Sequence, residues 1–528
     1  MNIKDKSALK YILILVVSGF VFGIDAGLIS GTIKFIRTEF SLTDLQVGTV
    51  VSAPAFGAII ALLFTGKIAH SLGRKNAMLL IAFMYFLSAV ASTFAVGYWS
   101  LTLARMLGGM AFCSISLASM YVGELAPAKM RGKLVVAAQV MMGLGFFIAY
   151  LINYILILNV SAESILFSPE NVWRTMFATE IPVVAIWFAF LLIVPKSPRW
   201  LMIKGREKEA EQVVNLVNRD EDVKDVISQI KKNITETACN TPIKQQLQTL
   251  LSSNMRLVLY IGVGLAIVQS LSGMGAVSFY APMIFKQVGL GENSAFFQTT
   301  LLGFVSIISA LVSVSLIDKI GRKPILIIGL LAISLSHLTI WYNFSNASYS
   351  ITEANIAKVE KIIDVAPLRT HIGKVFKTDI EFKNLLQQNY GEKVTRLHAD
   401  ALIKAFVKVS ATPIISAIFL FKIAFFFSIG PVMWVVFSEI TPNSIRSAAI
   451  PAFGLIASLF AFFVQRYFPW QLNTFGAADT FLSYALFSGL GVLLVSMILP
   501  ETKNKSIEEI EDLMVKNKKV TAPIIVSN

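Results

Sequence analysis

The chain has 528 residues, of which 55% are hydrophobic and 15% charged, and its mean hydropathy is +0.69. Such values exceed those of ordinary soluble domains and indicate a membrane protein. The formal net charge of +14 does not indicate a nucleic-acid-binding protein, because the basic residues fall in short connections between apolar runs. The two cysteines, Cys113 and Cys239, provide no disulfide framework.

Twelve apolar segments follow one another along the chain, each near the ~20 residues that a helix needs to cross a bilayer. Inside a bilayer they must be helices, because only a helix satisfies its own backbone hydrogen bonds. We therefore predict an all-α membrane protein with twelve transmembrane helices. The approximate predicted spans are 10–31, 46–66, 76–96, 99–122, 133–158, 173–194, 255–285, 294–317, 324–343, 411–437, 446–468 and 478–499.

The first span carries an acid among regularly spaced glycines. Gly19, Gly23, Gly27 and Gly31 recur every four residues, so they share one helix face and allow another helix to approach closely. Asp25 lies among them, and a carboxyl group near the bilayer centre costs about 2.5–3.5 kcal/mol on insertion scales. This cost suggests a functional, proton-binding group. The alternative is a structural aspartate hydrogen-bonded to a neighbouring helix.

The distribution of basic residues predicts the topology. Lysine and arginine concentrate in the connections between spans 2 and 3, 4 and 5, and 8 and 9, whereas the connection between spans 3 and 4 has none. Both termini are therefore expected on the cytoplasmic side. The predicted units are a six-helix half at 1–194, a cytoplasmic linker with short helices at 195–254, a six-helix half at 255–503 with an extracytoplasmic insert at 344–410, and a cytoplasmic tail at 504–528.

The two halves repeat one another. The string LGRK at 72–75 matches IGRK at 320–323, and ELAP at 124–127 matches EITP at 439–442. Each glutamate of the second pair is followed seven residues later by an arginine. Two parallel six-helix copies predict a substrate site between them near the membrane midplane, with rocking of one copy against the other.

Seven sequence motifs, found in order along the chain, resemble those of a known protein family. The chain resembles the sugar porter family of the major facilitator superfamily along its length, apart from the insert and the last 20 or so residues. The strings are RMLGG (105–109), YVGELAPAKMRG (121–132), PKSPRWL (195–201), QSLSGMGAVSFYAPMIF (269–285), DKIGRKP (318–324), GPVMWVVFSEITP (430–442) and PETKNKSIEEIE (500–511).

The resemblance implies a proton-coupling pair. In the proton-coupled members, an aspartate of span 1 and an arginine of span 4 occupy the positions of Asp25 and Arg105, and facilitators usually lack the acid. An adjacent arginine favours the ionised aspartate, whereas separation in a dry cavity favours protonation. We therefore expect symport rather than facilitated diffusion.

The resemblance also implies a substrate site of amides and aromatic rings, which suit sugar hydroxyls and apolar sugar faces. Ser270 and Gly275 stand where the family has a glutamine and an asparagine, and Phe146 falls at a usual glutamine position. The cavity is thus poor in amides, and a pentose, hexose, cyclitol or less polar polyol remains open as the solute. The residues expected to bind it are Phe22, Gln269, Ser270, Phe279, Tyr280 and Trp434.

Charged residues at the cytoplasmic ends of the spans predict an inner gate. By symmetry we expect Glu124 to pair with Arg446 and Glu439 with Arg131, closing the inner side when the cavity opens outward. A basic cluster that only sets the topology is the alternative. His70 replaces the family's acid in the first copy, which predicts a weaker network there. The expected gate residues are Arg74, Glu124, Arg131, Asp318, Arg322, Glu439 and Arg446.

These observations predict a transporter that imports a small neutral sugar or polyol with protons. A facilitative uniporter is the alternative, and a non-transporting nutrient sensor is a third possibility. The sequence carries no metal-ligand cluster, nucleophile motif or phosphate loop, so neither an enzyme nor a metal or cofactor site is expected. We expect a monomer in the lipid bilayer of a bacterial inner membrane, without a nucleic-acid partner. Lys422, within span 10, has no assigned role.

Overall fold

The computed structural model describes residues 5–125, 131–217, 223–238, 242–442, 444–503, 505 and 509–510. It contains twelve helices long and apolar enough to cross a membrane, so the predicted all-α membrane protein is confirmed. Spans 1 to 12 are Leu9–Glu39, Asp44–Leu72, Arg74–Thr93, Tyr98–Leu125, Ala137–Leu158, Val172–Ile193, Ser253–Phe279, Glu292–Ile320, Arg322–Ser345, Ala411–Ile440, Arg446–Thr474 and Gly476–Ile498.

Several spans are interrupted. Span 7 runs as Arg256–Leu271 and Met274–Phe279, separated by Gly273 with φ +82°, and the chain continues helically as Ala281–Gln287. Span 10 breaks at Ser428, between Ala411–Phe427 and Ile429–Ile440. Pro431 accounts for a break at this place, because it has no N–H for the Phe427 carbonyl and its ring crowds that oxygen. Span 4 contains a 3₁₀ turn at Ala111–Cys113, and span 6 divides into Val172–Ala178 and Glu180–Ile193.

The linker between the halves forms short helices, as its charge pattern predicts. They are Pro198–Ile203, Glu207–Val217, Val223–Ala238 and Ile243–Leu250. Trp200, Ala210, Val214 and Ile227 pack together as a small apolar core beneath the charged surface. The linker therefore folds rather than remaining an extended connection.

The insert between spans 9 and 10 forms a small folded unit, which we call the cap (residues 348–408). Strand β1 (Ser348–Ser350) pairs antiparallel with β2 (Val375–Phe376) on one edge and β3 (Val407–Lys408) on the other. Its helices are Glu353–Ile356, Ala366–Arg369 and Asp379–Phe406, the last kinked at Gly391 with φ +78°. Tyr349, Phe382 and Phe406 lie in its separate core. This sheet was not predicted, because its strands are too short to show alternation.

The order of the spans places the cap and the linker at opposite ends of the bundle. Connections after odd-numbered spans reach one end, which we call the cap end. Connections after even-numbered spans reach the other, which we call the linker end.

The glycines of span 1 make the close helix contact that their spacing predicts. A Cβ added at Gly19 or Gly23 would lie 2.2 Å from the carbonyl oxygen of Ala138 or Met142, both in span 5. Since real Cβ atoms do not approach this closely, only glycine permits the two backbones to touch. Spans 1 and 5 therefore form one closely packed pair.

Spans 2 and 4 form a second pair of the same kind. A Cβ on Gly57 of span 2 would lie 2.1 Å from the Met106 carbonyl oxygen of span 4. On the opposite helix, a Cβ on Gly109 would lie 2.0 Å from the Pro54 carbonyl oxygen. Each helix thus uses a glycine to admit the backbone of the other.

The two halves contact each other at the cap end. Lys34 of span 1 lies 2.8 Å from Glu292 of span 8. A Cβ on Gly48 of span 2 would lie 1.8 Å from the Arg466 carbonyl oxygen of span 11, so these backbones touch. The bundle is therefore closed at the cap end.

A polar chain also fastens the cap to both halves. Lys383 of the cap donates to Asp379 at 3.0 Å and to Asn473 of span 11 at 3.1 Å. Asn473 in turn donates to Asp44 of span 2 at 2.6 Å, and Arg37 of span 1 lies 2.9 Å from Asp44. The cap is therefore docked where the halves meet.

Candidate functional site

Asp25 and Arg105 form the ion pair that the sequence pattern predicts. Arg105 Nη1 lies 2.5 Å from Asp25 Oδ1, and Arg105 Nη2 donates to the Asp25 backbone carbonyl at 3.1 Å. Both side chains are 1% exposed. The Phe177 ring covers the guanidinium at 5.3 Å from its centroid. A charge this deeply buried persists only with a partner, which each of the two residues supplies to the other.

Glu180 of span 6 completes the site, and sequence reasoning missed it. Its side chain is buried and interacts electrostatically with both Asp25 and Arg105. The site therefore contains two carboxyl groups and one guanidinium. The sequence does show Glu180 as an acid within span 6, which is the signal that could have found it. The sequence alone does not tell which neighbouring helix the side chain faces.

In this conformation Asp25 faces neither lipid nor water. It is buried, and Gly108 and Ser88 lie close by, since a Cβ on Gly108 would contact Ser88 Oγ at 2.5 Å and Asp25 Oδ1 at 3.6 Å. Transfer of a proton between the Asp25 carboxylate and water therefore requires a conformational change that separates spans 1 and 4.

Two predicted aromatic residues meet at the centre of the bundle. Phe22 of span 1 and Phe279 of span 7 each lie 6.4 Å from Phe146 of span 5, measured between ring centroids. Phe22 also packs edge-on against Phe112 at 4.3 Å. Phe146 thus joins the aromatic surfaces of the two halves.

Gln269 and Ser270 are adjacent on span 7, but their polar side-chain groups differ in how accessible they are to a solute. Ser270 is buried and its hydroxyl donates to the Ala457 carbonyl of span 11 at 2.8 Å. Gln269 is half-buried, and its Oε1 lies 3.5 Å from Ser270 Oγ. The serine is thus occupied by the protein, whereas the glutamine amide remains partly accessible.

Tyr280 does not join the central aromatic cluster. Its hydroxyl donates to the Gln465 carbonyl at 2.8 Å, and its ring packs against Phe468 at 5.0 Å. It lines a cavity of about 510 Å³ at the cap end, which we call the chamber. Gln465 is a further amide that sequence reasoning missed, and its side chain fills the space beside Gly275, where the family has an asparagine.

Trp434 lies on the linker-end half of span 10, after the break. It is 41% exposed, packs edge-on against Phe437 at 5.6 Å, and faces Gly454 of span 11. The break at Ser428 offsets this segment from the first part of span 10.

The linker ends of the two halves carry matching charge clusters. Arg74 donates to Glu124 at 2.8 Å, and Ser197 donates to the other oxygen of the same carboxylate. Each of these three residues has a counterpart at the same place in the second half.

In that second half, Arg322 lies 2.8 Å from Glu439, and Thr502 donates to Glu439 at 2.6 Å. Asp318 adds a second acid 3.1 Å from Arg322, although its own side chain is 82% exposed. Sequence reasoning missed Ser197 and Thr502. Their signal is a hydroxyl residue two positions after the proline that follows the last span of each half.

The expected pair of Glu124 and Arg446 is not formed in this conformation, which is closed at the cap end. Arg446 donates to the Thr441 carbonyl at 3.0 Å rather than to Glu124. The side chain of Arg131 lies outside the described residues. In this conformation each glutamate contacts an arginine of its own half, Arg74 or Arg322, and the cross-pairing expected when the cavity opens outward stays a prediction.

Lys422 is buried in span 10. Its ammonium nitrogen lies 2.7 Å from Ser278 Oγ and 3.8 Å from Met274 Sδ, both in span 7, and 5.3 Å from the centroid of the Phe426 ring. It does not snorkel out of the bundle. It therefore links span 10 to the segment of span 7 that contains Phe279.

Comparison with known proteins gives consistent results. The family model described as "Sugar (and other) transporter" matches residues 11–358 and 397–514. The arabinose-proton symporter of Bacillus subtilis is 29% identical over 94% of this chain and 93% of that protein. The D-xylose transporter of Levilactobacillus brevis is 30% identical over 93% of both chains. An inward-open structure of the xylose transporter XylE from E. coli superimposes with a TM-score of 0.73 at 24% identity, covering 96% of this chain and 99% of that one.

Proposed function

The chain belongs to the sugar transporter family, and from that premise we propose that it carries a sugar or polyol together with protons by alternating access. The observation that carries the proposal is the buried pair of Asp25 and Arg105 in a chain whose relatives include an arabinose-proton symporter. Facilitated diffusion needs no such acid, and an isolated intramembrane carboxylate is costly.

The proposed proton site depends on the charge balance among three ionisable groups. When Asp25, Glu180 and Arg105 are together in a dry interior, one guanidinium balances one carboxylate. The second carboxyl group is neutral when it holds the transported proton. Movement of Arg105 away from Asp25 would change how readily that proton leaves, so proton affinity would follow the conformation.

The proposed solute site lies between the halves at the central aromatic cluster. Phe22 and Phe279 offer ring faces from opposite halves, Gln269 offers a partly accessible amide, and Trp434 offers an exposed ring nearer the linker end. Sugars bind to such mixed surfaces through hydroxyl hydrogen bonds and apolar C–H faces. The scarcity of amides favours a small solute with few directed hydrogen bonds.

The decisive experiment uses purified protein in proteoliposomes with an imposed pH gradient and a radiolabelled panel of arabinose, xylose, galactose, glucose and inositol. We expect the wild-type protein to accumulate at least one of them above equilibrium. Asp25→Asn should abolish accumulation but spare exchange of the same sugar, because the amide cannot carry a proton. Asp225→Asn, which alters an exposed acid of the linker in the same way, is the matched control and should retain accumulation.

Full accumulation by Asp25→Asn would contradict proton coupling through this residue. Uptake that does not depend on the pH gradient in the wild-type protein would instead favour the facilitative uniporter. Binding of a sugar without any uptake would favour a sensor. Each outcome therefore selects one of the three candidate functions.

For the gate we propose that Arg131 and Arg446 approach the glutamates of the opposite half when the cap end opens. Each glutamate would then gain a second arginine while keeping Arg74 or Arg322, and the extra charge pairing would favour that state. We expect Glu439→Gln to favour the state that is open at the linker end. The measurement is maleimide labelling of a cysteine at Ser438 in a Cys113→Ser, Cys239→Ser background, and an unchanged labelling rate would contradict the proposal.

We also propose the predicted orientation, with both termini cytoplasmic, and a monomer in the lipid bilayer of a bacterial inner membrane. The basic connections at the linker end support this orientation. The cap would then lie on the extracytoplasmic side, where solute enters.

A further inference from the structure

The part of span 7 that bears Phe279 is short and is bounded by a break at each end. This short segment, Met274–Phe279, begins after Gly273, whose φ is +82°, and Tyr280 separates it from the helix that follows. A helix of six residues makes few hydrogen bonds of its own, because the groups in its end turns lack partners within it. The position of the Phe279 ring therefore depends on contacts with other spans.

The backbone carbonyl of Ser278 lacks the partner that a continuous helix would give it. That partner would be the N–H group four residues later, and the residue there is Pro282, which has none. The hydroxyl of Tyr150 in span 5 donates to this carbonyl instead, at 2.8 Å. Since the carbonyl belongs to the peptide between Ser278 and Phe279, a side chain of the first half fixes the peptide from which the Phe279 ring projects.

Lys422 of span 10 holds the same short segment from within the second half. Its ammonium nitrogen lies 2.7 Å from Ser278 Oγ and 3.8 Å from Met274 Sδ, and these two residues lie one turn apart on one helix face. Lys422 and Ser278 are each 2% exposed, so water does not compete for the contact. A hydroxyl and a thioether compensate poorly for removing an ammonium from water, so a gain in stability does not explain the lysine.

The two contacts meet at the residue that precedes Phe279. The Phe279 ring lies 6.4 Å from the Phe146 ring, which lies 5.9 Å from the ring of Tyr150. Phe279 is half-buried and open to a solute, whereas Lys422 and Tyr150 are buried and are not. Any effect of these two residues on the solute must therefore pass through Phe279.

We propose that Lys422 and Tyr150 are positioning residues for the solute, which hold the Phe279 ring beside Phe146. The proposal rests on the proposed function for the role of Phe279, and adds the groups that set the position of its ring. Lys422 belongs to the same half as the short segment, whereas Tyr150 belongs to the other half. The ring is therefore held at both points only while the two halves are together around it.

The first test observes the ring and needs no solute. The full-length protein carries para-trifluoromethyl-phenylalanine at position 279, and fluorine NMR is recorded in nanodiscs. We expect a single resonance in the otherwise wild-type protein, and a shifted or split resonance in both Lys422→Met and Tyr150→Phe. Tyr484→Phe is the matched control, because its buried hydroxyl has no hydrogen-bond partner among the described residues, and it should leave the resonance unchanged. An unchanged resonance in Lys422→Met and Tyr150→Phe, or an equal change in Tyr484→Phe, would overturn the proposal.

The second test measures uptake of D-xylose and L-arabinose in proteoliposomes. Lys422→Met and Tyr150→Phe should each raise KM about three- to tenfold and leave kcat within about twofold, as expected for lost solute binding. In a Phe279→Leu background neither change should raise KM further, because both act through the same ring. Additive increases there would overturn the proposal, and thermal unfolding of each variant identifies a loss of fold.

Failure of the proposed function gives a different result. A raised KM for Phe279→Leu, with wild-type KM values for Lys422→Met and Tyr150→Phe, would reject the positioning role and leave the proposed function standing. Wild-type KM for Phe279→Leu would instead reject the proposed solute site. Absence of uptake by the wild-type protein would contradict the transport proposal, and the fluorine resonance would still decide whether Lys422 and Tyr150 hold the ring.

Discussion

Each half of the bundle buries a basic side chain in its fourth span, but the two are stabilised differently. Arg105 of span 4 contacts a carboxylate of span 1, whereas Lys422 of span 10 contacts the hydroxyl of Ser278 in span 7. Spans 1 and 7 are corresponding helices of the repeat, so corresponding pairs of helices hold an ion pair in one half and a hydrogen bond in the other. The comparison shows that the fold tolerates a buried cation in both halves while only one half adds acids to it.

The largest effect is expected when the cation of the first half is removed. Arg105→Met leaves Asp25 and Glu180 buried without a positive partner, which should lower the free energy of unfolding by about 3–5 kcal/mol. Thermal unfolding in detergent, followed by tryptophan fluorescence, measures the change. The double variant with Asp25→Asn should recover part of the loss. An unchanged unfolding temperature would show that the pair contributes nothing to the fold.

Removal of the cation of the second half should have a much smaller effect. Lys422→Met leaves no charge behind, because among the residues that the structure describes the ammonium contacts a hydroxyl, a thioether and a ring. We expect stability to change by less than about 1 kcal/mol or to rise, since a buried amine is replaced by an apolar chain of similar length.

The control for this prediction keeps the amine and removes its partner. Ser278→Ala should be more destabilising than Lys422→Met, because it leaves the buried amine without its hydroxyl. The same unfolding assay applies. A loss for Lys422→Met as large as that for Arg105→Met would mean that an unrecognised anion faces Lys422.

The smallest effect concerns the linker-end clusters, where the second half has an acid, Asp318, that the first half lacks. His70 occupies the place of Asp318 in the repeat, four residues before Arg74. His70→Asp should let the first half form the same contact and should stabilise it by about 0.3–0.5 kcal/mol. Asp318→Ala should cost a similar amount. A measurable loss from His70→Asp would show that the two clusters are not equivalent.

Much of the fold was predictable because it depends on local chemistry. Apolar length gives the spans, glycine spacing gives the contact of spans 1 and 5, and recurring strings give the two halves. The cap sheet was not predictable, since its strands of two or three residues are defined by partners distant in sequence.

The candidate site was predictable only in part for the same reason. Asp25 was found because it is an acid in an apolar, glycine-rich span, and Arg105 because it begins the RMLGG string. Glu180 was not found, because the sequence around it does not show which helix its side chain faces. The symmetry argument for the gate concerns the state that is open at the cap end, whereas in this conformation Glu124 and Glu439 contact Arg74 and Arg322 of their own halves.

The glycine contacts of the first half constrain how Asp25 can ever reach water. Asp25 lies in span 1, whose backbone contacts the backbone of span 5. Arg105 lies in span 4, whose backbone contacts that of span 2 in the same way. Neither helix can slide against its companion without driving one main chain into another. Water must therefore reach the Asp25 carboxylate by separation of the two helix pairs, each moving as a unit. A bulky residue at Gly23 or Gly57 would disturb this movement, and so proton release, although neither glycine carries the proton.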